Sequence, residues 1–386
     1  MKHVKPGQVV CMVVAVAVVL LTMAGEQAAR ATTVSIQTIH CGGWSIVPSP
    51  NATDYQNQLN AVAAVSASDV WAVGESAPLR GPFVTLVEHW DGSSWTIVPS
   101  PNPSSGEGEL YGVAAVSATD VWAVGDVGGF GTGTLIEHWD GSQWQLISSP
   151  SVKGTFFGIA AHSATDIWAV GSQMNGDPLT EHWDGSAWHV VPAPRVPNYI
   201  NTLDGVTVLS PTDAWAVGNY TINRRPIEPK TLIEHWDGQQ WSIVPSPNVG
   251  THGNALFAIA ALSAQDVWTV GIHNVNSLNE HWDGSKWSVI SPSLNGAASG
   301  VAAITSTDIW AVGASDHFIY DTFVEQWNGT QWQQVSSPNV EATTLGTSYD
   351  NYLNGVSASS AHNVWAVGYY ATHSSDTTYT LIEHYC

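Results

Sequence analysis

The chain has 386 residues, of which 32 are Asp or Glu and only 10 are Lys or Arg, so its formal net charge at pH 7 is −22. A surface this acidic repels phosphate backbones and anionic lipid headgroups, which excludes nucleic acid as an expected partner and disfavours anionic membrane surfaces.

The chain begins with a segment typical of a secretory signal peptide. Lys2 and Lys5 precede an apolar run from about Val9 to Met23, and Ala29-Arg30-Ala31 is a small-x-small cleavage site. The apolar run is shorter than the roughly 20 residues of a spanning helix. We therefore predict that residues 1–31 are removed and that the mature protein is secreted, extracellular or cell-surface associated, with no membrane span. A retained anchor is the alternative.

Three short motifs recur in a fixed order along the rest of the chain. "DVWAVG" or a close variant occurs seven times, with 42 to 55 residues between successive tryptophans. "EHWDG" or a variant follows each copy, and "W..V.SP" is the third motif. Together the motifs contain all 20 tryptophans. A residue type confined to repeat positions indicates a repeated architecture.

Each unit divides into four short β-strands. Strand A is "GVAAVS", strand B "DVWAVG", strand C "TLIEHW" and strand D "WSIVPSP", all rich in residues that favour strands. The A–B joint reads "SATD" and the C–D joint reads "DGS", both turn signals. The sequence therefore predicts an all-β fold, a seven-bladed β-propeller with four antiparallel strands per blade and the small-residue strand A innermost.

The repeat is divided between the two ends of the chain. A strand D without its preceding strands lies at residues 40–50, and the seventh copy of strands A to C, at about 351–386, lacks a strand D. We predict that the N-terminal strand closes the last blade and that residues 32–386 form one domain. Cys41 and Cys386 occupy neighbouring positions of the divided hairpin, and no other cysteine remains after removal of Cys11. A secreted protein meets oxidising conditions, so we predict a Cys41–Cys386 disulfide.

The repeat residues resemble a known group of proteins. "LYGVAAVSATDVWAVG" (110–125) is similar to repeats of photosystem-assembly-factor-like propellers, and "HWDGSSW" (89–95) resembles an Asp-box hairpin with one residue fewer between Asp91 and Trp95. Over residues 40–386 the chain resembles uncharacterised secreted bacterial seven-bladed β-propellers with kelch-like or Asp-box repeats. The resemblance implies the fold and says little about function, because propellers support many unrelated activities.

The repeated polar residues are interpreted as structural. Equivalent positions in neighbouring blades cannot converge on one ion, so we predict no metal site, no cofactor and no catalytic residue among them. We expect the histidines and glutamates of strand C to be hydrogen-bonded packing residues between blades. We expect the aspartates before strand B to cap their own turns; they are Asp69, Asp120, Asp166, Asp213, Asp266 and Asp308.

The two faces of the predicted propeller differ in their variability. The A–B and C–D turns share one face, the constant face, and are nearly identical between blades. The B–C and D–A loops share the opposite face, the variable face, where loop length differs and most tyrosines fall. Variable loops on a rigid scaffold are where function usually resides, although unconstrained drift would also produce them. These tyrosines are Tyr55, Tyr199, Tyr220, Tyr320, Tyr349, Tyr369 and Tyr370.

One column of residues, immediately before each strand A, varies while its neighbours repeat. We expect these side chains to surround the mouth of the central channel and to bind ligand. This ring, the predicted ligand-binding site, consists of Asn60, Tyr111, Phe157, Asp204, Phe257, Ser299 and Asn354.

The sequence favours a monomeric binding module that recognises a glycan or a protein through its variable face. The alternative is an extracellular hydrolase or lyase that acts on polysaccharide at the same channel mouth. A glycosidase carboxylate pair stays open in a chain with many loop acids. An enzyme should bring carboxylates with unusual pKa values together at the channel mouth, whereas a binding module should present exposed aromatic residues without them.

Overall fold

A computed structural model describes residues 42–128, 131–150, 152–222, 228–290, 294–315, 320–341, 349–372 and 376–386. The predicted signal peptide and Cys41 lie outside the described residues. In these ranges no helical segment has the length and hydrophobicity of a membrane span.

Four classes of strand recur in the propeller, from its axis outward. Strands A are β2 (Gln56–Ser66), β6 (Gly108–Ser117), β10 (Gly154–Ser163), β14 (Ile200–Ser210), β18 (Asn254–Ser263), β22 (Ala297–Thr305) and β26 (Tyr349–Ser360). Strands B are β3 (Asp69–Ala77), β7 (Asp120–Val127), β11 (Asp166–Gln173), β15 (Asp213–Thr221), β19 (Asp266–His273), β23 (Asp308–Ser315) and β27 (Asn363–Thr372). Strands C are β4 (Val84–Trp90), β8 (Gly133–Trp139), β12 (Pro178–Trp183), β16 (Lys230–Trp236), β20 (Asn276–Trp282), β24 (Asp321–Trp327) and β28 (Thr378–Tyr385). Strands D are β5 (Trp95–Ile97), β9 (Trp144–Leu146), β13 (Trp188–Val190), β17 (Trp241–Ile243), β21 (Trp287–Val289), β25 (Trp332–Gln334) and β1 (Trp44–Ile46).

The strands form seven four-stranded antiparallel sheets, each in the order A-B-C-D, which confirms the predicted seven-bladed propeller. Blade one contains β2–β5, and blades two to six follow in chain order. Each strand A contacts the strand A of both neighbouring blades, so the innermost strands close a ring.

Blade seven is assembled from both ends of the described chain, as the divided repeat predicts. Its strand order is β26-β27-β28-β1, and Trp44 lies opposite Tyr385 in the β1–β28 ladder. The backbone N–H of Gly42 donates to the carbonyl of Cys386 over 2.8 Å, which extends the pairing beyond β1.

Tryptophans fill the wedge between each pair of blades. Trp71 of strand B in blade one lies 4.9 Å from Trp139 and 5.5 Å from Trp144 of blade two, measured between ring centroids. At the closing blade Tyr385 replaces the strand C tryptophan and lies 4.6 Å from Trp310. The aromatic packing between blades is therefore continuous through the blade that joins the two ends, and burial of these large rings stabilises the propeller.

Strand A begins earlier than the motif "GVAAVS" predicts. Strand β6 starts at Gly108, four residues before Gly112, and every strand A carries a β-bulge near its middle. The residue that follows the bulge is glycine in five blades and alanine in blades one and five, and its small size permits close packing around the axis. A Cβ atom at Gly158 would lie 2.9 Å from the Asp204 carbonyl oxygen of the next blade, and one at Gly205 would lie 3.0 Å from that of Phe257.

Candidate functional site

The constant face is held by a repeated hydrogen bond between strands B and C. In blade two, His138 Nε2 lies 2.8 Å from Asp120 Oδ1, and the His138 ring stacks on Trp122 with centroids 4.1 Å apart. The same pair occurs in every blade; in blade six Gln326 replaces the histidine, and in blade seven Asn363 replaces the aspartate.

Two predictions about these residues are wrong. Each histidine bonds within its own blade and not between blades, because strands B and C are adjacent in one sheet. The aspartates before strand B do not cap their turns. Ser or Thr does so instead, as where Ser117 Oγ accepts from the N–H of Thr119. Aspartates cap the C–D turn, where Asp140 Oδ1 accepts from the N–H groups of Ser142 and Gln143.

The repeated glutamates of strand C are wholly buried. Burial raises their pKa to about 8, or to about 7 in Glu325, so they are protonated or close to protonation at neutral pH. Asn279 of blade five donates to Glu325 of blade six over 2.7 Å. These seven residues are 0% exposed and play a structural role; they are Glu88, Glu137, Glu181, Glu234, Glu280, Glu325 and Glu383.

Every residue of the predicted ring is the extra residue of a strand A bulge. Each lies between two residues that pair with strand B and has no partner there itself. A bulge redirects the side chain away from the regular alternation, which suits a residue that lines the axis. All seven side chains are partly exposed: Asn60, Tyr111, Phe157, Asp204, Phe257, Ser299 and Asn354.

Neighbouring members of the ring are linked around one half of the axis. Asn354 of blade seven donates to the Leu59 carbonyl of blade one, and Asn60 of blade one donates to the Leu110 carbonyl of blade two, both over 2.9 Å. The aromatic side chains of Tyr111 in blade two and Phe157 in blade three are also in contact, with centroids 5.7 Å apart. Contacts between neighbouring blades therefore connect four of the seven members of the predicted ring, those of blades seven, one, two and three.

Asp204 stands apart in blade four. Asn219 donates to its carboxylate over 3.2 Å. Burial nevertheless raises the pKa of Asp204 to about 7. The side chain of Asp204 is thus partly exposed but surrounded by enough protein to disfavour its charged form.

Carboxylic acids converge beside the ring in blades one and two. We call Glu75, Glu109 and Asp126 the acidic cluster. Asn60 Nδ2 donates to Glu75 Oε2 over 2.5 Å, and the Tyr111 hydroxyl donates to Glu109 Oε2. All three acids lie at the ends of their strands that lead to the variable face.

All three carboxyl groups of the acidic cluster have raised pKa values. Burial and, to a smaller extent, the negative charges of Glu109 and Asp126 together raise the pKa of Glu75 to about 8, against the Asn60 hydrogen bond. Burial and the charge of Asp126 likewise raise the pKa of Glu109. Asp126 is 2% exposed, and its pKa is raised by burial although Gly131 and Thr155 donate to its Oδ2 atom over 3.0 Å.

Aromatic rings extend from the acidic cluster across blades seven and six. We call Tyr320, Tyr352 and Tyr369 the tyrosine strip: the ring centroids of Tyr320 and Tyr352 lie 5.1 Å apart and those of Tyr352 and Tyr369 lie 4.8 Å apart. Tyr369 lies on β27, which contacts β2 of blade one, the strand whose Asn60 donates to Glu75. Burial raises the pKa of Tyr369, and the charge of Glu75 also raises it. Tyr349, Tyr370 and Tyr379 form a second stack on the same blade.

The sequence analysis missed the acidic cluster. It isolated one variable column, whereas two neighbouring columns also vary. The position after "WAVG" holds Glu75, Asp126, Ser172, Asn219, Ile272, Ala314 and Tyr369 in successive blades. The position two residues before the bulge holds Gln58, Glu109, Thr155, Thr202, Ala255, Ala297 and Tyr352. The variation of these two columns inside otherwise regular strands was the sequence signal for the acidic cluster. The bulge, which brings the three columns together, was not recognised in the sequence.

Two other features carry less functional information. A cleft of about 480 Å³ lies on the outer strands of blade three, where Arg195 and Asp177 form an ion pair of 2.7 Å. Among the described residues, no group of three or more His, Cys, Asp or Glu side chains is arranged to hold a metal ion.

The sequence matches no protein-family profile and no curated protein. Its fold is similar to that of solved propellers. YCF48 bound to a D1 peptide aligns with a TM-score of 0.53 and 14% identity over 90% of this chain and 98% of that chain. YCF48 from Cyanidioschyzon merolae gives 0.54 and 14% over 89% and 99%. The extracellular domain of a putative one-component system from B. thetaiotaomicron gives 0.54 and 12% over 89% and 40%. At these identities the similarity establishes the seven-bladed β-propeller fold and no shared activity.

Proposed function

We propose that this protein is a secreted, monomeric binding module that recognises a protein or a glycan through the variable face of its propeller. The observation that carries the proposal is the contrast between columns of the repeat. Columns on the constant face hold the same residues in nearly every blade, whereas three adjacent columns at the variable end of strands A and B hold aromatic, acidic and amide groups.

The chemistry of the variable face suits recognition. Tyrosine combines a large apolar ring with a hydroxyl group, which favours contacts with both proteins and sugars. Tyr199 and Tyr320 are more than a third exposed. One of the similar propellers, YCF48, is described as bound to a D1 peptide, which supports a peptide or protein as one class of ligand.

A hydrolase or lyase acting on polysaccharide is the second candidate. The observation that favours it is the acidic cluster, which meets the criterion of convergent carboxyl groups with raised pKa values. Glu75, protonated at neutral pH, has the protonation state of a general acid. The exposed tyrosines meet one part of the criterion for a binding module, whereas the carboxyl groups beside them do not, so the two candidates require a direct test.

Secretion and the disulfide belong to the same proposal. The signal sequence supports export, and the hydrogen bond from Gly42, the residue that follows Cys41 in the sequence, to the Cys386 carbonyl supports the disulfide. Mass spectrometry of the secreted, non-reduced protein should find a start near residue 32 and a peptide containing both cysteines. Thiols at both positions would remove the disulfide from the proposal.

The function is tested with glycan and peptide arrays probed with residues 32–386. Alanine at Tyr111, Phe157, Asp204 and Phe257 should abolish binding of any ligand the wild type retains, while the variant keeps its melting transition. Binding that survives these changes, or that maps to the constant face, would overturn the proposal. Release of reducing ends from a polysaccharide panel, lost on Glu75→Gln, would establish the hydrolase instead.

A further inference from the structure

We propose that the acidic cluster binds the guanidinium or ammonium group of an Arg or Lys side chain, presented by a peptide segment that lies along the tyrosine strip. The inference rests on the proposed binding function and names the chemistry of its ligand.

The first argument is electrostatic. Ionisation of Glu75 is costly in its buried position beside Glu109 and Asp126, and ionisation of Glu109 is costly beside Asp126, unless a cation compensates the charge. In the part of the chain that the structure describes, the one ion pair formed by a Lys or Arg joins Arg195 to Asp177 in blade three. The protein therefore supplies no described cation to the cluster, and a ligand cation would offset its charge.

The second argument is an unsatisfied acceptor. Asp126 is only 2% exposed, and its Oδ2 atom accepts the hydrogen bonds from Gly131 and Thr155. Its Oδ1 atom has no partner among the described residues. Asp126 lies directly opposite Glu109 in the β6–β7 ladder, and the Tyr111 hydroxyl donates to Glu109, so the Asp126 carboxyl group lies beside both. A buried acceptor without a donor is costly, and a guanidinium group with five N–H donors matches it.

The third argument is the arrangement of aromatic rings beside the carboxyl groups. Cations are attracted to the faces of Tyr rings within about 6 Å, and Arg more often than Lys. The tyrosine strip runs from Tyr369 on β27, which contacts β2 of blade one, through Tyr352 on β26 to Tyr320 of blade six, so it offers a platform to residues that flank the cation. A neutral glycan could use the platform but would leave the charges uncompensated. A metal ion lacks a suitable ligand group in the described residues.

The test uses isothermal titration calorimetry on residues 32–386 with two synthetic peptides. The probe is acetyl-Gly-Arg-Gly-Arg-Gly-amide, and the control replaces both arginines by citrulline, which keeps the shape and removes the charge. We expect the arginine peptide to bind at least about tenfold more tightly, with affinity that falls as salt rises. Glu75→Gln and Glu109→Gln should each weaken it about tenfold. Glu228→Gln, the same charge change at an exposed residue of blade four, should leave it unchanged.

Binding should also release protons at neutral pH. A ligand cation favours the ionised form of Glu75, whose surroundings contain the titratable groups Glu107, Glu109, Tyr111, Asp126 and Tyr369. Titrations in two buffers with different ionisation enthalpies measure the number of protons, which should fall towards zero in Glu75→Gln.

The inference would be overturned if the arginine and citrulline peptides bound with equal affinity. It would also be overturned if Glu75→Gln and Glu228→Gln weakened binding of the arginine peptide equally, since the attraction would then come from the general acidity of the surface. Glu109 is partly exposed, so Glu109→Gln keeps the test valid if Glu75→Gln fails to fold. An array ligand that is lost on alanine substitution of the ring but insensitive to Glu75→Gln would refute the cationic ligand and leave the proposed function standing.

Discussion

The constant and variable faces of the propeller differ in how closely equivalent residues repeat from blade to blade. On the constant face, the Asp–His pair and the stacked tryptophan recur with the same geometry in nearly every blade, and the hydrogen bonds lie within or between adjacent strands. On the variable face, equivalent positions hold different residues, as in the column that contains Glu75, Asp126 and Tyr369. Residues that every blade needs for packing cannot vary, so variation accumulates where packing does not depend on it, and binding sites can arise there.

A second contrast lies within the variable face. In blades seven, one and two the three variable columns hold Tyr, Glu, Gln, Asp and Asn, whereas in blades five and six they include Ala255, Ile272, Ala297 and Ala314. The same backbone therefore carries a polar, aromatic sector in blades seven, one and two and a sector with several aliphatic residues, the aliphatic sector, in blades five and six. We place the ligand in the polar, aromatic sector, which contains the buried carboxyl groups of the acidic cluster.

Removal of residues 32–51 should have the largest effect. It deletes β1, exposes the edge of β28 and removes Trp44 from its contacts with Trp310 and Tyr385. We expect loss of folded protein in circular dichroism and proteolysis, not a frayed end. Trp44→Ala is the graded version and should cost about 3–5 kcal/mol. An unchanged melting transition in the deletion variant would contradict the closure of blade seven by its N-terminal strand.

Replacing a buried repeat glutamate should stabilise the protein in a pH-dependent way. The pKa of Glu181 is raised from 4.5 to about 8, so folding at pH 7 must take up a proton at a cost of up to about 3 kcal/mol. The stability of the wild type is then greatest below pH 4.5 with respect to this group and falls as pH rises to about 8. Glu181→Gln removes the cost.

Urea unfolding of Glu181→Gln between pH 4 and pH 9 tests this account. Its advantage over the wild type should be absent near pH 4, grow with pH and level off above about pH 8. Glu228→Gln, at an exposed position, is the control and should show no such trend. A pH-independent difference would mean that Glu181 stays ionised in the folded state.

Disruption of the constant-face pair should cost less. Asp120→Ala leaves His138 Nε2 and Trp122 Nε1 without their acceptor and should destabilise by about 1–3 kcal/mol, with ligand binding unchanged. His138→Gln is a control that the chain itself provides, because Gln326 bonds Asp308 in blade six over 2.8 Å. It should be close to neutral in denaturant unfolding. A loss of ligand binding in Asp120→Ala with unchanged stability would assign function to the wrong face.

The smallest effect on stability is expected in the ring. Phe257 is partly exposed and is the bulge residue of β18, without a pairing partner on β19, in the aliphatic sector. Phe257→Ala should therefore lower the free energy of unfolding by about 1 kcal/mol or less. Phe156→Ala, one residue from the ring and wholly buried, is the contrasting variant and should cost about 3–5 kcal/mol. Similar costs for both would show that the ring is part of the packing.

Much of the fold could be predicted from the sequence because it is a sum of repeated local signals. Tryptophan spacing predicted the blades, and the divided motif predicted the pairing of Trp44 with Tyr385. The bulge at Tyr111 could not be predicted, since one extra residue leaves the strand pattern looking regular. The contact of Asp120 with His138, 18 residues away, was not predicted either, because an aspartate beside a turn is commonly expected to cap that turn. The acidic cluster joins three strands of two blades, so its proximity appears only in the folded chain.

The most direct test of the account is one array experiment with three proteins. The first is the wild type; the second carries Glu75→Gln, Tyr352→Ala and Tyr369→Ala on the variable face; the third carries Ser93→Ala, Gln143→Ala and Lys286→Ala at exposed C–D turns of the constant face. The account predicts that the third protein binds the same spots as the wild type and that the second loses them. Retention by the second protein, or loss by the third, would contradict the separation of architecture and recognition between the two faces.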